Sequence, residues 1–358
     1  MPCLARPWAT VPGVASRVRL SDVARAAGVS STTASFVLAG REDMRISEAA
    51  KERVRAAAAE LGYRPNLTAR SLRTQVTRTI GFVSDTIATD PFAGETVRGA
   101  INAAIERGHL LLIAETEGDD ELERRLIDDM LDRQVDGLIY ASMFTREVSV
   151  PEAAGGHRLV LLNAFAPDSG VAAVIPDELG AGSAAAEVLL EAGHEEGIHL
   201  VGALPGDVFA ARERSAGIKA TLGAAGTALA SIIKCSWAPQ PAHDAVAAFL
   251  AGGGRPTALI CVNDRVAFGA LQALQDAGLR VPADVSIVSF DDSDLARWSR
   301  PAFTSLALPH EDMGRTAVEL LLEPPELPSV RHVPMPLRRR DSVGPPAGGE
   351  LLMRTTRS

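Results

Sequence analysis

The chain has 358 residues, 46% of them hydrophobic, which gives room for two or three domains with sizeable cores. The formal net charge is −9, and the 3 cysteines, an odd number with no CxxC or CxxxC spacing, argue against a disulfide framework or a zinc site. No apolar run reaches the roughly 18 residues of a membrane helix, and Arg6, Pro7 and Pro12 interrupt any secretion signal, so no membrane partner is expected and the cytoplasm is the expected compartment.

Residues 1–17 lack periodicity and read as a disordered leader, whose place in the native protein depends on the start codon used. The first patterned segment, RLSDVARAAGVSSTTASFVLAG from Arg19 to Gly40, predicts two short helices joined by a tight turn. Ser21 and Asp22 supply oxygens for the open amides of a helix over 20–27, with Ala24 and Ala27 facing inward. Gly28 suits the left-handed stop, Val29 forms an apolar wedge, and Ser30 caps the second helix. That helix is expected to bury Ala34, Val37 and Leu38 and to expose Ser31, Thr32, Thr33, Ser35 and Phe36, a face of small hydroxyls suited to bases and phosphates. A helical hairpin inside an ordinary core would share the pattern. Charge separates the two readings. Arg17 to Thr79 holds twelve Arg or Lys against six Asp or Glu, a net of +6, and with Arg6 adding one more charge the remainder from Ile80 carries −16. A small basic head on a large acidic body fits a helix-turn-helix that meets a polyanion locally.

Apolar Val54, Ala57, Ala58 and Leu61 at helical spacing predict a third helix over 47–61, ended by Gly62. Tyr63, Arg64 and Pro65 form an extended link, and Asn66 caps a two-turn helix through Arg73 that is too short to be stable alone. The expected domains are therefore a DNA-binding head over 18–64, a hinge helix and linker over 65–78, a core over 79–342 and a flexible tail over 343–358. Within the core, apolar runs at 80–83, 110–114, 137–140 and 159–162 alternate with helices over 92–107 and 121–134. Runs at 197–203, 232–235, 258–262 and 285–290 alternate with helices over 212–223, 243–250 and 264–277. The fold class is thus an all-α helix-turn-helix head plus an α/β core of two doubly wound parallel-sheet lobes.

Ligands of such sheets sit beyond the carboxyl ends of the strands. Asp85, Asp90, Asn163, Asn263, Asp264, Asp291 and Asp292 stand there, with Arg214 at the start of a helix, a set that suits a ligand with several hydroxyls. Singly, Asp85 or Asp177 would serve equally well as a helix cap. No GxSxG elbow, phosphate loop or dinucleotide fingerprint occurs, the seven histidines show no metal spacing, and Asp291 and Asp292, as strand-end neighbours, point to opposite sides. Neither catalysis nor a cofactor nor a metal is expected.

Several segments together resemble the LacI/GalR family of transcriptional regulators over about 18–342: LSDVARAAGVSSTTASFVLAG, LGYRPNLTARSLRT, TIGFVSDTIATDPF, ALICVNDRVAFGALQALQDAGLRVPADVSIVSFDDSDLARW and FTSLALPHEDMG. The resemblance implies a core like that of periplasmic sugar-binding proteins, a hinge helix folding in the minor groove, and a homodimer, with a tetramer left open. It also implies two partners, palindromic operator DNA and a small-molecule effector, a sugar or related polar metabolite. The function implied is a repressor of carbohydrate-related genes; a solute-binding protein or a sugar-processing enzyme on the same core is the rival. Residue by residue, Ser31 and Thr32 match base-reading positions, Thr33 and Ser35 lie near phosphates, and Leu72 matches a leucine wedged into the central base step. Ser21, Tyr63, Asn66, Ala69 and Arg70 join the DNA contacts. Arg214, Asn263 and Asp291 match effector ligands, Trp298 a lining aromatic, and Asp85, Phe92 and Asn163 complete the effector set. Phe36 stands where many members place a base-contacting arginine, so that contact is absent or replaced by apolar contact with a thymine methyl. Asp90 stands where Asn is frequent and adds a carboxylate to the cleft.

Overall fold

The computed structural model describes residues 18–40, 45–64, 76–87, 94–202, 208–327 and 329–347. It divides after Thr77 into two compact units. The first contains α1 (Leu20–Ala27), α2 (Ser31–Leu38) and α3 (Glu48–Glu60). Asp22, not Ser21, secures the start of α1: its Oδ2 accepts from Arg19 N at 2.9 Å. Gly28 takes φ +66°, at no steric cost for a residue without Cβ, and turns the chain into α2, where Ser30 Oγ accepts from Thr33 N at 3.0 Å. Val23, Ala24, Ala27, Ala34, Val37, Val54, Ala57 and Ala58 form the small core, with Val29 wedged against it. Leu61, expected in that core, is exposed: it lies past the last turn of α3, and Tyr63 packs there instead, its N–H bonded to Ala58 O at 2.8 Å.

The second unit contains two six-stranded sheets. One holds β1 (Thr79–Ser84), β2 (Leu110–Glu115), β3 (Gly137–Glu147), β4 (Leu159–Phe165), β5 (Ala172–Pro176) and β11 (Val330–Val333), in the order β11-β5-β4-β3-β1-β2, every pair parallel. The other holds β6 (Ile198–Val201), β7 (Ser231–Ile233), β8 (Ala258–Cys261), β9 (Ser286–Asp291), β10 (Thr304–Ala307) and β12 (Leu337–Arg338), in the order β12-β10-β9-β8-β6-β7, parallel except for β12. Helices α4 (Gly94–Glu106), α5 (Asp120–Asp132) and α11 (His310–Leu322) belong to the first lobe; α6 (Glu178–Glu191), α7 (Phe209–Ala224), α8 (Pro239–Ala251), α9 (Asp264–Asp276) and α10 (Asp294–Trp298) to the second. The chain passes between the lobes three times, from β5 into α6, from β10 into α11, and from β11 into β12. None of the described helices is long and apolar enough to cross a membrane.

Glycines let three helix pairs meet backbone to backbone. A Cβ on Gly99 of α4 would lie 2.0 Å from Glu311 O of α11, and one on Gly314 equally close to Thr96 O. Gly182 and Gly217 make the same approach between α6 and α7, and Gly269 of α9 makes it to Pro239 O of α8. Residues 343 and 344, expected in a flexible tail, are held by the second lobe. Val343 packs on the second lobe, Gly344 O accepts from Ser286 Oγ at 3.0 Å and lies 2.9 Å from His194 Nε2, so these backbone groups are tied into the lobe.

Gly99→Ala should destabilise the second unit by about 1–3 kcal/mol, because a carbonyl oxygen fixed in a helix cannot step aside for the new methyl. A urea denaturation midpoint equal to that of the parent would show that α4 and α11 are not held this close.

Candidate functional site

On the head, Ser31 and Thr32 are exposed at the start of α2, while Thr33, Ser35 and Phe36 are half-buried. Thr33 Oγ1 lies 2.8 Å from Ser30 Oγ and so belongs partly to the cap. Thr32 and Ser31 are therefore the freest to meet a base edge. Ser21 is exposed in the first turn of α1, and Tyr63 is half-buried against the head core. Asn66, Ala69, Arg70 and Leu72 lie outside the described residues.

In the second unit the carboxyl ends of the strands open on a cavity of about 620 Å³, lined by both lobes. Asp85 does not line it. Its Oδ1 accepts from Met143 N at 2.9 Å and Thr86 N at 2.8 Å, and its Oδ2 from Ser142 Oγ at 3.3 Å and Arg146 Nη2 at 3.4 Å, so its lone pairs are spent on the protein. Asn163 does line the cavity, but its amide is also occupied: Nδ2 donates to Ser142 O and Met143 O at 2.9 Å each, and Oδ1 accepts from Thr145 Oγ1 at 2.5 Å. Both residues brace a bulge where β3 gains extra residues over β4 between Ala141 and Arg146, and that bulge presents exposed Phe144 to the cleft. Asp90 and Phe92 lie outside the described residues.

From the other lobe Arg214, Asn263, Asp291 and Trp298 line the cavity. Arg214 is buried in α7; its Nε and Nη2 donate to Glu178 at 2.5 and 3.1 Å, its Nη1 to Val262 O at 2.5 Å, and Phe290 lies beneath it, ring centroid 4.5 Å from Cζ. Asn263 caps α9, Oδ1 accepting from Val266 N at 2.8 Å, which leaves its amide nitrogen as the donor available to a ligand. Asp291 ends β9 with φ +97°, a conformation that non-glycine residues seldom hold unless their surroundings impose it. Its Oδ1 is 3.8 Å from Arg214 Nη1, whereas Asp292 turns away to Arg340 and Arg297, so the two carboxylates do not pair. Burial pushes the Asp291 carboxyl up to about 7; Arg214 and Arg265 pull it down, Asp264 and Glu178 push it further up. Asp264 is structural: Ser289 and Ser305 donate to Oδ1 at 2.6 and 3.0 Å, and Ser293 donates twice to Oδ2. Trp298 stands at the rim, 69% exposed. Asp177 is the helix cap that it resembled, accepting from Gly180 N at 2.9 Å.

Glu178 and Trp237 also line the cavity and were missed. Trp237 Nε1 donates to Gly202 O at 2.5 Å, which fixes the indole in the wall. The apolar run AAVIP of β5 was the available signal for Glu178, since it puts Glu178 just beyond a strand end, and Trp237 stands just past the expected strand over 232–235.

The profile of the lacI family of bacterial regulatory proteins matches residues 19–66, and that of the periplasmic binding protein-like domain matches residues 186–343. The ribose operon repressor of Escherichia coli strain K12 is 33% identical over 308 residues, 85% of this chain and 92% of that protein. A lac repressor dimer bound to operator and the anti-inducer ONPF superposes with a TM-score of 0.75 at 26% identity, covering 92% of this chain and all of that one. A complex of the transcriptional regulator CelR with cellobiose superposes with a TM-score of 0.62 at 28% identity, covering 91% and 100%.

The raised Asp291 carboxyl makes stability depend on pH. Between about 4 and about 7 the native protein holds a proton that the unfolded chain has released, so this group stabilises at low pH and the contribution fades as pH rises through 7. Asp291→Asn cannot ionise and should gain on the parent between pH 5 and pH 8. Urea midpoints of the two proteins that stay in constant difference over that range would show an ordinary carboxylate.

Proposed function

The chain belongs to the lacI family of bacterial regulatory proteins, and from that membership we propose how its own residues divide the work of a DNA-binding repressor controlled by a small-molecule effector. On the DNA side, Ser31 and Thr32 of α2 read base edges in the major groove, and Thr33 and Ser35 approach phosphates. The exposure of Ser31 and Thr32 at the start of a helix on a head of net positive charge supports this reading. Two heads related by two-fold symmetry fit a palindromic operator, so the working form is a homodimer in the cytoplasm, where its operator lies. Residues 65–78, with Leu72 as the minor-groove wedge, link effector to operator.

On the effector side, Arg214, Asn263 and Asp291 contact the ligand and Trp237, Trp298 and Phe144 offer apolar faces to its ring. The observation that carries this reading is the convergence of a guanidinium, an amide, a carboxyl and indole rings on one cavity between two lobes joined by three passes of chain. Donors, acceptors and aromatic faces in one cleft fit a carbohydrate or a related polyhydroxylated metabolite. The ligand changes operator affinity by favouring one arrangement of the lobes over another. No reaction is assigned to the cleft; its acidic and basic groups hold a ligand.

Operator binding should fall steeply with salt, as counterions are released from the phosphates, and Thr32→Ala should cost about 1–3 kcal/mol at one symmetric pair of base positions while leaving the others unchanged. Footprinting and a randomised-site selection measure both, and an unchanged preference profile removes Thr32 from the readout. Asp291→Asn should weaken the effector's influence on operator binding at least about tenfold while leaving operator affinity without effector intact. A full response in the mutant would place the effector elsewhere. The sign of the response separates an inducer, which lowers operator affinity, from a corepressor, which raises it.

A further inference from the structure

Arg214 enters the cleft with its charge already spent. Glu178, the first residue of α6, grips it as a fork, Nε to Oε2 at 2.5 Å and Nη2 to Oε1 at 3.1 Å, and both side chains are almost sealed from solvent, 3% and 2% exposed. Val262 O takes a third N–H. The donors that remain, one on each terminal nitrogen, give direction to a ligand without lending it a positive charge. Asp291 stands 3.8 Å away, and buried Asp264 adds to the negative field on it. Arg265 also acts on Asp291, and Arg297 and Arg340 are engaged with Asp292. The group formed by Glu178, Arg214 and Asp291 therefore carries a charge of zero with Asp291 protonated and −1 with it ionised.

Anchoring α6 to α7 does not require this pair. The two helices already meet through Gly182 and Gly217, and a buried ion pair costs so much desolvation that apolar contact often holds as well. Its consequence is electrostatic. Building on the effector site assigned above, we propose that Glu178 is a positioning residue that sets specificity: by neutralising Arg214 it makes the cleft accept uncharged polyhydroxylated effectors and reject those that carry a carboxylate or a phosphate.

Titration calorimetry on the full chain at pH 8 would compare D-ribose with D-ribose 5-phosphate and cellobiose with cellobionate. A thermal-shift titration with inorganic phosphate, against chloride of matched ionic strength, probes Arg214 without any sugar. The parent should bind the neutral member of a pair at least about tenfold more tightly than its anion, since a like charge in a partly desolvated site opposes the anion by more than one factor of ten. Glu178→Gln should cut that ratio about tenfold or more and gain a saturable phosphate response. Glu178→Asp should keep the parent's preference. E178M/R214M, which replaces both charges with apolar side chains, should show no phosphate response. The proposal is overturned if the parent takes the anion as tightly as the neutral sugar, if phosphate stabilises the parent but not E178M/R214M, or if folded Glu178→Gln keeps the parent's ratio. Should Glu178→Gln fail to fold, the parent's ratio and the phosphate comparison with E178M/R214M decide alone. If neither member of a pair binds while the phosphate results come out as expected, the sugar reading fails and the role of Glu178 stands.

Discussion

Three passes of the chain between two parallel sheets are the constraint on which the rest of the core depends. Parallel pairing puts the carboxyl ends of a sheet's strands on one side, and the passes after β5, β10 and β11 turn those sides toward a shared cavity. Residues far apart in sequence, such as Asn163 and Asp291, are brought to one site by topology alone. The glycine-mediated contacts of α4 with α11, α6 with α7 and α8 with α9 stiffen each lobe from outside the sheets. Stiff lobes leave the passes as the places where a change of lobe arrangement is absorbed.

Residues at strand ends divide by how many of their lone pairs and protons the protein consumes. Asp85 accepts four hydrogen bonds and Asp264 another four, so neither has capacity left for a ligand. Asn163 is likewise committed to the β3 bulge. Asp291 has no such set of donors among the described residues, faces an arginine whose charge is shared with Glu178, and lines the cavity. Position relative to a strand nominates candidates; the count of satisfied donors and acceptors separates residues committed to the protein from those with capacity to spare.

That division was invisible in the sequence, whereas much of the architecture was legible. Strong signals were the continuous apolar runs of β1, β3, β4, β8 and β9 and the paired caps at Asp22 and Ser30, because burial on both sheet faces and cap chemistry leave local marks. Weak signals were β11, an edge strand whose residues VRHV are mostly exposed, and α6, where small residues such as Ala181, Ala185 and Ala186 pack closely without a polar-apolar contrast. The end of the core was placed too early for a related reason. The bonds that hold Gly344 run to Ser286, and its neighbour His194 stands 150 positions earlier, and no local pattern records partners at such distance.

Left-handed backbone at the cleft connects these points. Asn163 has φ +53° and Asp291 φ +97°, one in each lobe, and Asp292 follows with φ +53°. Such conformations are sparse for residues with a side chain and cost about 1–3 kcal/mol when strained, though Asn and Asp tolerate them better than most. They persist only where surroundings fix them. For Asn163 three hydrogen bonds to the bulge do so, and for the 291–292 turn the bonds from Asp292 N to Ser305 Oγ and from Leu308 N to Asp291 O do so. The last of these ties the turn to the pass between β10 and α11. A carboxyl that lines the cleft is thereby held by the same backbone that links the lobes, so on the proposed effector role of Asp291 binding and the pass between β10 and α11 share one hydrogen bond.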